Sequence, residues 1–301
     1  MSSILTNTAA LTALSSLNKT QNSLQMTQNR ISTGLRVSSA SDNAAYWSIA
    51  TTMRSDNSSL STVKDSLGLG SATANVAYTG TNAAIDLATQ IKNKLVTALQ
   101  PGVDRVKIQA DITQLQKQLK STADSSTIAG QNLLSVDSAA ATYNSTASTI
   151  SSYTRAGGVI STGTIDINVT TTKLYDTDKS GLIDKVGTSG KSVDNLDISA
   201  LTDSAADAAT LKKMIADVDT SISGMTTSAS NLGAAQTRMK NQSAFIDALS
   251  NAITSGIGTL VDADMTEEST KLSALQVQQQ LGTQALSIAN QSSQSILSLF
   301  R

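Results

Sequence analysis

The feature that most limits what this chain can fold into is an apolar register repeating every three and a half residues through its C-terminal half. From Leu211, alternating steps of four and three residues land on Leu211, Ile215, Val218, Ile222, Met225, Ala229, Leu232, Gln236, Met239, Ser243, Ile246, Ser250, Ile253, Ile257 and Leu260. Twelve of these fifteen positions are apolar. A stripe of that period faces one direction only if the chain is helical and packs against a partner along its length. The spacing therefore predicts a long coiled-coil-like helix, on the order of 75 Å at about 1.5 Å per residue. The competing reading is a set of shorter core helices broken at Gly224, Gly233 and the Gly256/Gly258 pair. The register survives the first two glycines, which favours one rod.

A second seam occupies the N-terminal half. It runs through Tyr46, Ile49, Met53, Asp56, Leu60, Val63, Leu67, Gly70, Ala74, Ala77, Thr81, Ala84, Ala88, Ile91, Leu95 and Ala98, with small residues filling its later part. Alanine at seam positions lets helix axes approach closely. Pro101-Gly102 breaks this helix, because proline removes a donor and glycine frees the backbone. Ile108, Ile112, Leu115 and Leu119 then mark a shorter helix expected to turn back along the first. Between about 140 and 200 the period changes. Ile165, Ile167 and Val169 alternate with Asp166, Asn168 and Thr170, the pattern of a half-buried strand, among frequent glycines. The expected fold is mainly α: a long helical bundle formed by the N- and C-terminal halves, with a small β-containing central insertion at 141–199.

The two ends carry weaker helical seams. Ala10, Leu17, Leu24 and Ile31 share one heptad position, with Leu14, Gln21, Gln28 and Leu35 on its partner. Near the other end the seam reads Leu272, Leu275, Gln279, Gly282, Leu286, Ala289, Ser293, Ile296 and Phe300. Ordering some 40 residues costs roughly 40–80 kcal/mol of backbone entropy at about 1–2 kcal/mol each. The large apolar side chains of the first 40 residues return roughly 15–30 kcal/mol if fully buried. Such ends are expected to order by burial against neighbouring copies, which points to a polymer.

Composition removes most chemistry. The 301 residues include no Cys and no His, so imidazole bases, thiolate nucleophiles, disulfides and ordinary zinc or haem sites are excluded. A net charge of −1 argues against phosphate-neutralising nucleic-acid binding and allows self-association. There is no uninterrupted run of 18 apolar residues, so no membrane span is expected. Nor does the N-terminus read as a cleaved signal: Lys19 is the first cation, and no apolar h-region follows a basic start. No enzyme and no cofactor are expected.

Particular stretches then carry a resemblance. Arg30-Ile31-Ser32-Thr33-Gly34-Leu35-Arg36-Val37 leads into Ser39-Ala40-Ser41-Asp42-Asn43-Ala44-Ala45. Leu232-Gly233-Ala234-Ala235-Gln236-Thr237-Arg238, Asp262-Ala263-Asp264 and the finish Gln294-Ser295-Ile296-Leu297-Ser298-Leu299-Phe300-Arg301 follow in order. Over roughly 1–140 and 200–301 the chain resembles a bacterial flagellin, the filament subunit of the flagellum. The resemblance implies an inner tube of terminal helices (1–42 and 262–301), a surrounding helical rod (43–140 and 200–261) and an outward-facing insertion. It implies export of the unfolded chain through the flagellar type III channel, and partners that include other flagellin copies, an export chaperone, the filament cap and hook-associated proteins. The protein would be secreted and reside in the extracellular filament. Together with the terminal seams it implies assembly contacts at Leu14, Leu17, Leu24, Arg30, Ile31, Leu35, Arg36, Asp42, Asn43, Leu286, Ile296 and Phe300. The chain departs from the family pattern at Tyr46-Trp47, at Ser293, and at an immune-receptor surface where Ile91 and Lys94 replace an arginine and a glutamate and only Leu95 persists, so weak or no receptor signalling is expected.

Other motifs read more plainly. Asp176-Thr177-Asp178-Lys179-Ser180-Gly181 with Asp184 has the spacing of a calcium loop's first nine positions, yet the twelfth is Gly187 instead of a bidentate Glu. A solvated Asp/Gly turn is the expectation. Asp264 followed by Glu267 reads as a helix N-cap with an acid at N3. Arg30 and Arg36 are expected to meet a carboxylate or carbonyl of a neighbouring subunit. The rival functions are a hook–filament junction protein and an exported coiled-coil adhesin or effector.

Overall fold

The computed structural model describes residues 7–299, with side chains as far as residue 291. Phe300 and the side chain of Ile296 lie outside the described residues. The elements in order are α1 (Thr8–Thr33), α2 (Ala44–Ala98), α3 (Arg105–Ser125), three two-residue strands β1 (Thr127–Ile128), β2 (Gln131–Asn132) and β3 (Ser135–Val136), the hairpin β4 (Thr146–Ala156) and β5 (Val159–Asn168), α4 (Val169–Thr172), β6 (Tyr175–Asp176), α5 (Ala205–Val261) and α6 (Met265–Leu299). They fall into two units. One holds residues 1–57 and 251–301, the other 58–250.

The larger unit is built on the two seams. Gly224, Gly233, Gly256 and Gly258 all lie inside the single 57-residue helix α5, so the rod reading holds. Within this unit α2 buries Leu60, Val63, Leu67, Ala74, Ala77, Ala84, Ala88, Ile91 and Leu95, and α5 buries Leu211, Val218, Met225, Ala229, Leu232, Met239 and Ile246. The pair is antiparallel. Lys64 bonds Asp247 and Lys92 bonds Asp219, each at 2.6 Å, and Gln236 Nε2 donates to Asn75 Oδ1 between them. As one helix advances, the other retreats by the same number of residues. By length and composition α5 also contains a stretch apolar enough to cross a membrane, although the sequence has no unbroken apolar run. Its seam is spent on packing.

α3 does turn back along α2, and Lys94 bonds Asp111 across the pair at 2.5 Å. The turn is stitched by Arg105, which is nearly buried. Its Nε donates to the Ala98 carbonyl at the end of α2, and its guanidinium pairs with Asp203 at 2.6 Å. A cation on the last carbonyls of a helix satisfies acceptors that lack intrahelical partners.

The β-containing middle packs within the larger unit. β4 and β5 pair antiparallel around Gly157-Gly158, whose φ values of 58° and 84° suit a mirror-image two-residue turn. Ile165 and Ile167 are buried and Asp166 and Asn168 exposed, as the alternation predicts. Val169 keeps the inward side but starts α4, because the Asn168 side chain accepts the Thr170 N–H and turns the chain into a helix. Leu174, Ile183, Val193, Leu196 and Ile198 are buried as well. Gln109 and Gln116 of α3 donate to the Leu196 carbonyl, and Asp217 of α5 accepts the N–H groups of Thr188 and Ser189. These polar straps fix the middle on the helices, so it need not supply a core of its own.

The smaller unit pairs α1 with α6 and the ends of α2 and α5. Its buried centre is Val37, Ala50, Ile257 and Val261, with Leu35, Met53, Ile253 and Leu260 against it.

Candidate functional site

Each terminal helix is started by a side chain that accepts orphan N–H groups. Asn7 caps α1, Asn43 accepts from Ala45 and Tyr46 at the start of α2, and Asp264 accepts from Thr266 and Glu267 at the start of α6. The N-cap assigned to Asp264 from sequence is thus present. Gly34, at φ 70°, closes α1. The chain then crosses α5's end as a short extended segment. Leu35 bridges Asp262, the Arg36 and Val37 N–H groups donate to the Val261 carbonyl, and the Ala263 N–H donates to the Gly34 carbonyl.

Two arginines clamp this crossing. Arg30 Nη1 bonds Glu268 Oε1 at 3.0 Å, and Arg36 Nη2 donates to the Leu260 carbonyl at 3.0 Å. The partners are the carboxylate and the carbonyl expected for arginines here, but both belong to the same chain. The reason is geometric: α1 and α6 run antiparallel, which sets the last turn of one beside the first turn of the other. Glu268 is almost fully buried, and its Oε2 has no hydrogen-bond partner. Sequence reading singled out its neighbour Glu267, which is exposed. Asp42 fastens the following loop. Its Oδ2 accepts the Ser39 and Ser38 N–H groups and both hydroxyls, and these bonds, the Ser39 N–H foremost, hold the carboxyl below its ordinary range.

The seam between α1 and α6 differs in part from the one expected. Leu17, Leu24 and Ile31 are half-buried, Thr27 is buried, and Ala13 and Thr20 complete the row. Leu17 packs over Gly282, where a Cβ would lie 3.2 Å from Cδ1. On α6, Leu272, Leu275, Gln279, Gly282, Leu286 and Ala289 face inward as read. Leu14, Gln21 and Gln28 do not; they are exposed. Both heptad offsets fit the sequence, and the small residues Ala13, Thr20 and Thr27 won because they permit a closer approach than leucine and glutamine. The consequence is a face without a partner in the chain. Leu11, Leu14 and Met26 on α1 and Val277, Leu281 and Ile288 on α6 are between 43% and 66% exposed.

Two further sites need correction. Ile91 and Leu95 are fully buried in the α2 seam, and Lys94 is bonded to Asp111, so the three do not form a surface. The Asp176–Asp184 loop is not a solvated turn. Asp176 and Asp184 are both buried. Lys173 Nζ bonds Asp176 Oδ2 and Ser180 Oγ, Ser138 and Ser180 donate to Asp176, and Asp184 accepts the N–H groups of Asp176 and Gly181 at 2.7 Å each. Burial pushes the Asp176 carboxyl up, but the Lys173 ammonium and the serine donors outweigh it and hold it well below the ordinary 3.8. At Asp184 burial prevails and the carboxyl is pushed above its ordinary value. The oxygens a cation would need are already taken, and no cluster of three acidic side chains fit for a metal exists among the described residues. Lys173 was the missed residue, separated from the motif by too little pattern to be noticed.

Paired terminal helices, an apolar face left open and a long two-seam bundle together describe a subunit built for assembly. Residues 4–139 match the bacterial flagellin N-terminal helical region, and residues 215–300 match the bacterial flagellin C-terminal helical region. The chain belongs to the bacterial flagellin family. Flagellin C of Rhizobium meliloti (strain 1021) is 44% identical over 331 aligned positions, the flagellin of Brucella melitensis biotype 1 is 43% identical over 302, and Flagellin A of Rhizobium meliloti (strain 1021) is 40% identical over 396. Each alignment covers the whole of both chains. This flagellin is a structural subunit of a flagellar filament, a surface structure outside the cell, and it self-assembles. Its family is a structural one.

Proposed function

We propose that the open face of α1 and α6 is the principal assembly contact of this flagellin, and that the chain works by burying it against neighbouring copies. The carrying observation is the exposure of Leu11, Leu14, Met26, Leu281 and Ile288 on helices that already share one narrow seam. Burying a side chain of this size yields about 1.5–3 kcal/mol, so these five together with Val277 offset at most about 18 kcal/mol of the ordering cost of the ends. Leu17, Leu24, Ile31, Leu35 and Leu286 hold the pair in shape, with Arg30, Arg36, Asp42 and Asn43 fixing the crossing. Residues 1–42 with 262–301 form the inner tube in this reading, 43–140 with 200–261 the surrounding shell, and 141–199 the outward insertion.

The chain leaves the cell unfolded through the flagellar export channel, held beforehand by a chaperone at its C-terminal helix, and folds under the filament cap beyond the hook-associated proteins. It has no catalytic activity. Because Ile91 stands where the receptor surface of the family has an arginine and Lys94 where it has a glutamate, with only Leu95 kept, the vertebrate flagellin receptor is engaged weakly; reporter cells responding as strongly as to an enteric flagellin would contradict this. The assembly reading is tested with purified monomer. Precipitating salt or filament seeds should yield sedimenting helical fibres of one component. A chain that forms no long filaments by itself would instead fit the hook–filament junction, and one that stays monomeric when concentrated an exported coiled-coil adhesin or effector.

A further inference from the structure

Tyr46-Trp47, the departure from the family pattern at the start of α2, stays open in the folded subunit. Trp47 is the only tryptophan of the chain and is 37% exposed; Tyr46 beside it is 40% exposed. Neither belongs to the buried centre of Val37, Ala50, Ile257 and Val261. Large aromatic rings bring roughly 150–250 Å² each to whatever contact buries them, and Trp and Arg are the residues that most often anchor interfaces. Arg54 lies about two turns further along the same side of α2. It is exposed and forms no ion pair among the described residues.

Within the same unit, the first turns of α6 carry an open cleft of about 550 Å³, lined by Asp264, Thr266, Glu267, Thr270, Lys271 and Ala274. Asp264 is engaged in capping the helix. The Glu267 carboxylate is exposed and forms no ion pair among the described residues. We propose that the Trp47–Arg54 face of α2 docks in the α6 cleft of a neighbouring copy, with Arg54 on Glu267 and the indole at Ala274. Spacing and charge select this occupant together. Glu267 and Ala274 are separated by the same interval on α6 as Trp47 and Arg54 on α2, so the two stretches laid antiparallel bring both pairs into register at once. Arg54 then meets a carboxylate, and the indole lies against a small side chain with the Lys271 ammonium about one turn away, where a cation favours an aromatic face. Laid parallel, the same stretches set Trp47 on Glu267 and Arg54 beside Lys271, which repels it. A two-fold meeting of the Trp47 face with itself would close a pair, whereas face into cleft is heterologous and repeats along a filament. The contact rests on the self-assembly of this flagellin and is separate from the aliphatic stripe of Leu11, Leu14, Leu281 and Ile288.

As the sole tryptophan, Trp47 reports its own burial. When the full-length chain assembles, its emission should move to shorter wavelength and acrylamide quenching should fall at least about threefold, as for an indole leaving water. Arg54→Glu should raise the critical concentration for seeded growth about tenfold, since it sets like charges across the contact. Adding Glu267→Arg should reverse most of that rise, so that the double variant outgrows both single ones. Thermal melting of the monomers separates lost folding from lost contact: Arg54 is exposed, so Arg54→Glu should melt as the parent does. Filaments in which Trp47 is quenched as readily as in the monomer, or a double variant that grows no better than Arg54→Glu, would overturn the docking and leave the filament role intact. A parent chain that formed no filaments at all would sink both.

Discussion

Asp176 and Gly181 show how much a single side chain decides here. Asp176→Asn leaves the Lys173 ammonium buried without its counter-charge, so the monomer should lose about 3–5 kcal/mol at neutral pH in denaturant titrations. The sign with pH follows from the direction of the shift. A carboxyl held below its ordinary 3.8 contributes its full stability above that value and loses it as pH falls toward the folded-state value. The gap between parent and variant should therefore be constant near pH 7 and shrink once pH drops below about 4; a gap that widened in acid would refute the pairing. Gly181 is needed for space, not for a turn. A Cβ there would lie 2.3 Å from the Leu174 carbonyl oxygen, while the left-handed position of the loop is Lys179 at φ 53°. Gly181→Ala should cost more than about 2 kcal/mol because the obstacle is backbone and cannot rotate away. Sequence alone could not see this, since calcium loops place glycine at the same spacing for a different reason.

At the scale of elements, α1 separates packing from assembly along one helix. Leu17 faces α6 over Gly282 and Leu14 faces out. Leu14→Ser should leave monomer stability within about 0.5 kcal/mol of the parent, as exposed substitutions do, and slow seeded growth severalfold. Leu17→Ser should loosen the α1–α6 pair in the monomer as well, seen as lost helical signal. If both variants assembled like the parent, the open face would not be the contact. The two long helices were legible because a 3.5-residue period leaves little freedom over dozens of residues. Which of two heptad offsets α1 uses was not, because both fit the same leucines, and only the α6 surface distinguishes Thr27 from Gln28. Likewise, the hairpin's inward row was readable from Ile165 and Ile167, whereas the switch to a helical turn at Val169 depended on the local bond from Asn168.

For the molecule as a whole, the two units differ in what holds them. The unit of residues 1–57 and 251–301 centres on four buried apolar side chains, one of them an alanine. At about 1–2 kcal/mol of entropy per ordered residue, that centre cannot secure both terminal helices alone. Limited trypsin on the monomer should accordingly cut first near the ends, at sites such as Arg36 and Lys271, and leave the 58–250 unit intact. Early cuts within that unit would contradict it. The filament should protect both sites, because neighbours cover them. What the sequence determined by itself was helix, length and the excluded chemistry: periodicity is a one-dimensional property, and a chain without His or Cys cannot acquire their reactions by folding. Tertiary structure decided the partners. Arg30 found Glu268 and Arg105 found Asp203, because each bond depends on which elements are brought side by side, and that is set by the packing of seams many residues apart.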